Sequence, residues 1–195
     1  MTELSHPHVA TASPLEQADA AVADVLVPFS GKGVVRAIGA VSDLTDQEPI
    51  YAASGATIAV GLAMRDVRTV RAGTRTLAAH LLATALRGVV KQLVDRTRPV
   101  AAAERGEYEL GKGERFESDF NSFPSGHTAG AVAVARALGR HYPGSYHSWM
   151  GVAAAAAAAQ VLRSKHYVTD VVAGAAIGLI AEELVHRLLC RAERV

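Results

Sequence analysis

The stretch His141-Tyr-Pro-Gly-Ser-Tyr-His-Ser-Trp-Met-Gly-Val-Ala-Ala-Ala-Ala-Ala-Ala-Ala-Gln-Val-Leu162 carries no Asp, Glu, Lys or Arg and holds seven consecutive alanines, Ala153–Ala159. Alanine is the strongest helix former, and a long run of it reads as a helix whose neighbours approach its backbone closely. Four further segments are apolar in the same way. Pro49–Met64 and Phe120–Ala135 are uncharged, and Thr76–Val94 is apolar but carries His80, Arg87 and Lys91. Tyr167–Leu189 has an apolar middle between Asp170 and the Glu182–Glu183 pair. Within it, Gly174 and Gly178 share one helix face, a spacing that suits close helix contact. Sustained period-2 alternation and hairpin turns are lacking, so no strands are expected. The pattern predicts an all-α multi-helix membrane bundle with about five transmembrane helices.

The chain has 195 residues, enough for one domain of ordinary size. A mean hydropathy of +0.17 is high for a soluble protein and low for one wholly embedded in lipid, which leaves a soluble Ala-rich bundle as the alternative. The formal net charge of +1 provides no global basic field for nucleic acid. Cys190 is the only cysteine, so an internal disulfide and a Cys-rich zinc site are both excluded; it reads as inert packing. The first twenty residues lack a basic start and an apolar core, and no secretory signal peptide is expected. His6 and His8 read as part of a flexible tail over residues 1–12 rather than as metal ligands.

Ser13-Pro14-Leu15-Glu16 is a helix start with a capping box and Pro at the first helical position. It opens a short amphipathic helix through about Val27, which Pro28–Gly33 breaks before a second short helix over Val34–Leu44. Residues 13–44 are thus expected to lie at the membrane interface or against the bundle, and residues 45–195 to form the bundle. The link Arg65–Arg75 holds four arginines and one acid, whereas Ala101–Phe120 holds six acids and three basic residues. The positive-inside rule then puts the acidic link on the extracytoplasmic side of the inner (plasma) membrane.

Three clusters carry chemistry. Lys91 and Arg98 are seven residues apart, two helical turns, and two cations beside an apolar span must snorkel, pair or bind an anion. Ser122-Phe-Pro-Ser125-Gly126-His127-Thr128 precedes an apolar helix, whose first N–H groups form a natural phosphate seat with an acid/base group beside it. His166 and Asp170 stand four residues apart, so the carboxylate can orient the imidazole. Together these are the parts for phosphoryl transfer through a phosphohistidine.

Lys91-x6-Arg98-Pro99, Pro124-Ser125-Gly126-His127 and His166-x3-Asp170 resemble, in order and spacing, the three-part signature of the type 2 phosphatidic acid phosphatase superfamily. That superfamily includes lipid phosphatases, bacterial acid phosphatases and vanadium haloperoxidases. The resemblance covers roughly residues 45–189. It implies that Lys91, Arg98, Ser125 and the Gly126 amide hold the phosphoryl oxygens. His166 would attack phosphorus, Asp170 would hold its other ring nitrogen, and His127 would protonate the leaving oxygen and then accept the proton of water. It implies no metal and no cofactor, and a membrane lipid phosphate or polyprenyl (pyro)phosphate as substrate. The chain departs from the family pattern at Ala159-Gln160, where Ser-Arg is usual. Gln160 is neutral, and Arg163, one turn on, is the candidate substitute. The alternatives are a vanadium-dependent haloperoxidase and a catalytically weak membrane protein that binds or moves phospholipid. The oligomeric state is not legible.

Overall fold

A computed structural model describes residues 12–192 apart from Phe116. The expected tail, with His6 and His8, lies outside the described residues. Eight helices and one two-stranded ribbon follow in the order α1 Pro14–Leu26, α2 Gly33–Ser42, α3 Gln47–Ala63, α4 Val67–Leu93, β1 Val94–Arg96, α5 Pro99–Arg105, β2 Leu110–Lys112, α6 Gly126–His141, α7 Tyr146–Leu162 and α8 Val168–Ala192. The five apolar segments of the sequence are α3, α4, α6, α7 and α8. Among the described residues no single helix is both long and apolar enough to cross a membrane by itself.

Local chemistry sets the element ends. Ser13 caps α1 with the expected capping box: its hydroxyl accepts from the Glu16 N–H, and the Glu16 carboxylate accepts from the Ser13 N–H at 3.0 Å. Asp46 and Asp66 cap α3 and α4 in the same manner, accepting from the Gln47 and Arg68 N–H groups. Pro99 opens α5, and Gly106, at φ 68°, closes it in the left-handed region that glycine adopts without a Cβ penalty.

α6 is the hub, packed against α4, α7 and α8, while α3 lies on α4 and α2 on α7. The core between them is made of small side chains: Ala79, Ala83, Ala133, Ala137 and Ala181 on one side of α6, and Ala131, Ala135, Ala153 and Ala156 on the other. Small residues bring backbones together. A Cβ added at Gly174 would fall 2.4 Å from the Ser125 carbonyl oxygen, and one at Gly178 would fall 2.5 Å from that of Ala129. Both glycines therefore seat α8 on α6, the close contact their spacing suggests. Farther along the same pair, Arg136 and Arg140 of α6 clasp Glu182 and Glu183 of α8, with Arg136 Nε 2.6 Å from a Glu182 oxygen. Buried carboxylates require such partners.

Two expectations are corrected. α4 stops at Leu93, so Lys91 and Arg98 are not on one helix face. Pro99 disfavours helical backbone at Arg98, and the chain runs instead as a short strand, β1, paired antiparallel with β2. Asp95 pins this ribbon by accepting the backbone N–H groups of Glu114 and Arg115 at 2.7 and 2.8 Å. The second correction is the ribbon itself, because no strand was expected.

α1 buries Asp19 against the bundle together with Ala20 and Ala23, and exposes Leu15, Val22 and Val25.

Candidate active site

The three clusters meet at one cavity of about 170 Å³. Lys91 reaches it from the last turn of α4, and Arg98 from the residue that caps α5. Gly126 and His127 line it from the first turn of α6, and His166 from the loop between α7 and α8. That loop is aimed by Ser164, at φ 52°, whose carbonyl accepts the Val100 N–H.

His166 is buried, and its Nδ1 lies 2.7 Å from the Ser122 carbonyl oxygen. The nearest Asp170 oxygen is 3.8 Å from the same nitrogen. His166 stands before α8 begins, so the His–Asp pair sits at the helix start rather than along one helix face. With Nδ1–H donated to a carbonyl, Nε2 keeps its lone pair on the cavity side. Burial holds the His166 ring below its ordinary pKa, while the nearby Asp170 carboxylate pulls the other way. The neutral ring is the nucleophilic form.

Asp170 does not line the cavity; it lies behind His166, fully buried. It accepts from Ser122 Oγ at 2.5 Å, from the Tyr167 N–H at 2.8 Å and from Arg96 at 2.7 Å. Arg96 is itself bonded through all three nitrogens: it also bonds Asp19 at 2.9 Å, Thr169 at 2.7 Å and the Tyr108 hydroxyl at 3.1 Å, and its guanidinium stacks 4.0 Å from the Tyr167 ring centre. Tyr108 in turn donates to Glu16. A chain of charge-assisted bonds thus runs from α1 to the back of His166.

His127 presents Nε2 to two carboxylates at longer range, 3.7 Å from Asp43 and 3.6 Å from Asp46, and makes no hydrogen bond through that atom among the described residues. Arg98 donates Nε to the Ser118 carbonyl at 2.8 Å, which fixes the fork and frees its other nitrogens. The Ser125 hydroxyl is buried against Thr128 at 3.0 Å and is not among the cavity-lining groups. Gln160 lines the cavity and donates Nε2 to Ser42 at 2.8 Å. Arg163 does not line it; Asp43 accepts from its guanidinium at 2.6 Å, and the Gly39 carbonyl accepts at 3.2 Å.

Sequence reasoning did not assign His80, Arg87, Asp46, Asn121 and Lys165, which also line the cavity, nor Arg96, Asp19 and Ser122 behind it. One signal was available. His80, Thr84, Arg87 and Lys91 recur at helical spacing within an apolar segment, where charge is costly unless it faces something polar. Lys165 is held below its ordinary pKa by burial and by Arg163 nearby.

Comparison with known proteins agrees with this geometry. Lipid A 1-phosphatase of Porphyromonas gingivalis is 36% identical over 84 residues, which is 40% of this chain and 19% of that protein. The chain therefore matches about a fifth of that relative's length. Two crystal structures share the fold. One is described as the first transmembrane PAP2 type phosphatidylglycerolphosphate phosphatase from Bacillus subtilis, with a TM-score of 0.60 at 20% identity over 95% of this chain and 90% of that one. The other is Aquifex aeolicus LpxE, with a TM-score of 0.63 at 17% identity over 91% of this chain and 98% of that one. The family model of the PAP2 superfamily matches residues 72–193, from within α4 through α8, and so takes in all three clusters. On that match and on the cavity the clusters build, the chain belongs to the PAP2 superfamily.

Proposed function

We propose that the protein hydrolyses a phosphate ester or pyrophosphate carried by a membrane lipid, through a phosphohistidine on His166. The observation that carries this reading is the convergence of His166, His127, Lys91 and Arg98 on one cavity at the N-terminus of α6. His166 Nε2 attacks phosphorus. The N–P bond forms as the bond to the leaving oxygen breaks, and that oxygen takes the His127 proton. His127 then accepts a proton from water as water oxygen bonds phosphorus and the N–P bond breaks. Lys91, Arg98 and the first amides of α6 stabilise the charge on the nonbridging oxygens, with Ser125 shaping the turn that presents those amides. Protein cations do the charge work, and no step needs a metal.

A membrane setting is supported by the outer faces of the bundle. Val60, Leu62, Leu81, Val89, Leu93, Val152, Val172, Ile180 and Leu188 all stand exposed on α3, α4, α7 and α8. Apolar surface on that scale is unusual for a protein in water. Charge placement favours the inner membrane with the cavity on the extracytoplasmic side.

The test is trapping of radiolabelled phosphate, with an activated aryl phosphate and with a lipid phosphate. The His166→Ala variant should trap none. The His127→Ala variant should trap label from the aryl ester, which leaves without protonation, and turn it over slowly. Label on His166→Ala would overturn the mechanism. For topology, Lys112→Cys should react with an impermeant thiol reagent outside intact cells in a Cys190→Ser background, and Val67→Cys should not.

A further inference from the structure

Arg87 lies one helical turn before Lys91 on α4, and both line the cavity with Arg98. Its guanidinium rests against the first residue of α6. A Cβ built on Gly126 would fall 2.3 Å from an Arg87 terminal nitrogen. The Arg87 Nε is buried and has no hydrogen-bond acceptor among the described residues. Each of these features is unfavourable without an anion beside it. A helix N-terminus carries positive partial charge and repels a guanidinium. Lys91 and Arg98 add two more like charges on the same cavity wall. A buried donor without an acceptor loses its bond to water for nothing in return. Asp46, the carboxylate that lines the cavity, lies 3.6 Å from His127 Nε2. An anion seated in the cavity beside Arg87 and the start of α6 offsets this repulsion.

Gln160 and Arg163 lend no charge to the cavity, whereas Lys165 lines it with the other cations. Gln160 is neutral, and its amide nitrogen donates to Ser42. Arg163 is bound by Asp43 and the Gly39 carbonyl.

We infer that Arg87 is a phosphoryl-binding residue. Its terminal nitrogens donate to nonbridging oxygens of a phosphate seated at the start of α6, and with Lys91, Arg98 and Lys165, which line the same cavity, it surrounds that phosphate with cations. The inference takes its substrate from the phosphatase reading, but its content is the recognition of a tetrahedral oxyanion. A planar fork suits two oxygens of such an anion better than the point charge of lysine.

The experiment is calorimetric titration of the purified full-length chain in detergent with orthovanadate and with inorganic phosphate. Arg87→Gln should weaken orthovanadate binding on the order of 10- to 100-fold. Arg87→Lys should recover part of the loss. The double variant Arg87→Gln/Gln160→Arg should recover most of it, since position 160 faces the same cavity. The ligand-free melting temperature of Arg87→Gln should equal or exceed that of the unaltered chain, because a repelled cation is gone. A purely structural arginine would lower it. The inference is overturned if Arg87→Gln binds orthovanadate as tightly as the unaltered chain, if its ligand-free melting temperature falls along with affinity, or if the unaltered chain binds neither anion. Hydrolysis of a lipid phosphate is measured separately. Arg87-dependent anion binding without turnover would sink the phosphatase reading and leave this one standing; turnover indifferent to Arg87 would do the reverse.

Discussion

The ring of His166 is held by a backbone atom: the Ser122 carbonyl oxygen lies 2.7 Å from Nδ1, closer than either oxygen of Asp170. A carbonyl can only accept, so Nδ1 must carry the proton and Nε2 the lone pair. The tautomer is therefore set by the loop before α6, and the charge of the ring by burial working against Asp170.

Asp170→Asn separates these two influences. The tautomer should survive, so the loss in kcat should be about 10²–10³-fold, within the range of a general acid–base contribution. It should be smaller than the loss from removing His166. Asp170 raises the pKa of His166 against the lowering by burial. Its neutralisation should shift the acidic limb of the kcat/KM profile to lower pH, because the ring then loses its proton more readily. A limb that moves to higher pH would refute this assignment.

Arg96 joins Asp19 to Asp170, with both carboxylates buried. Arg96→Met should leave two unpaired buried charges and destabilise the fold by about 3–5 kcal/mol. Asp19→Asn keeps a hydrogen-bonding side chain and should cost less. Thermal inactivation in detergent ranks them, and equal stability of Arg96→Met and the unaltered chain would show the network to be idle.

Ser164 holds a left-handed backbone at φ 52°, and its buried hydroxyl has no partner among the described residues. Ser164→Gly removes both burdens and should raise stability by about 1 kcal/mol. A fall in melting temperature would contradict this.

Two glycines offer a matched contrast. A Cβ at Gly174 would meet the Ser125 carbonyl at 2.4 Å, whereas one at Gly151 meets nothing within 4 Å. Gly174→Ala should cost about 1–3 kcal/mol and, by moving the turn that precedes α6, lower activity as well. Gly151→Ala should stabilise α7 by about 0.5–1 kcal/mol. Melting curves of the two variants should move in opposite directions.

Much of this arrangement is legible in the sequence because it rests on local patterns. The alanine run of α7, the Ser13–Glu16 capping box and the Gly174–Gly178 spacing each specify their own surroundings. The end of α4 is less so. Pro99 announces a break at Arg98, but the strand Val94–Arg96 exists because Asp95 bonds backbone groups 19 and 20 residues away. The Ser122 contact leaves no trace in composition, since any residue offers a carbonyl. Arg96 pairs with Asp19 across 77 positions, and no periodicity spans that interval. Arg87 lies between these extremes. Its cost in an apolar helix is plain from the sequence, but the cavity that accounts for it requires α6 to be in place.

Asp19 has a further consequence for how the molecule comes together. Its carboxylate accepts the Thr169 N–H at 3.2 Å, joining residues 150 positions apart. Closing so wide a chain loop is slow relative to helix formation, because its entropic cost precedes any reward. The bundle of α4, α6 and α7 has the nearer contacts and can assemble first. The support behind His166 is completed only when α1 finds the start of α8. A chain whose alanine core has formed but whose α1 has not docked would keep the Ser122 contact to His166 yet leave Arg96, behind Asp170, without its Asp19 partner.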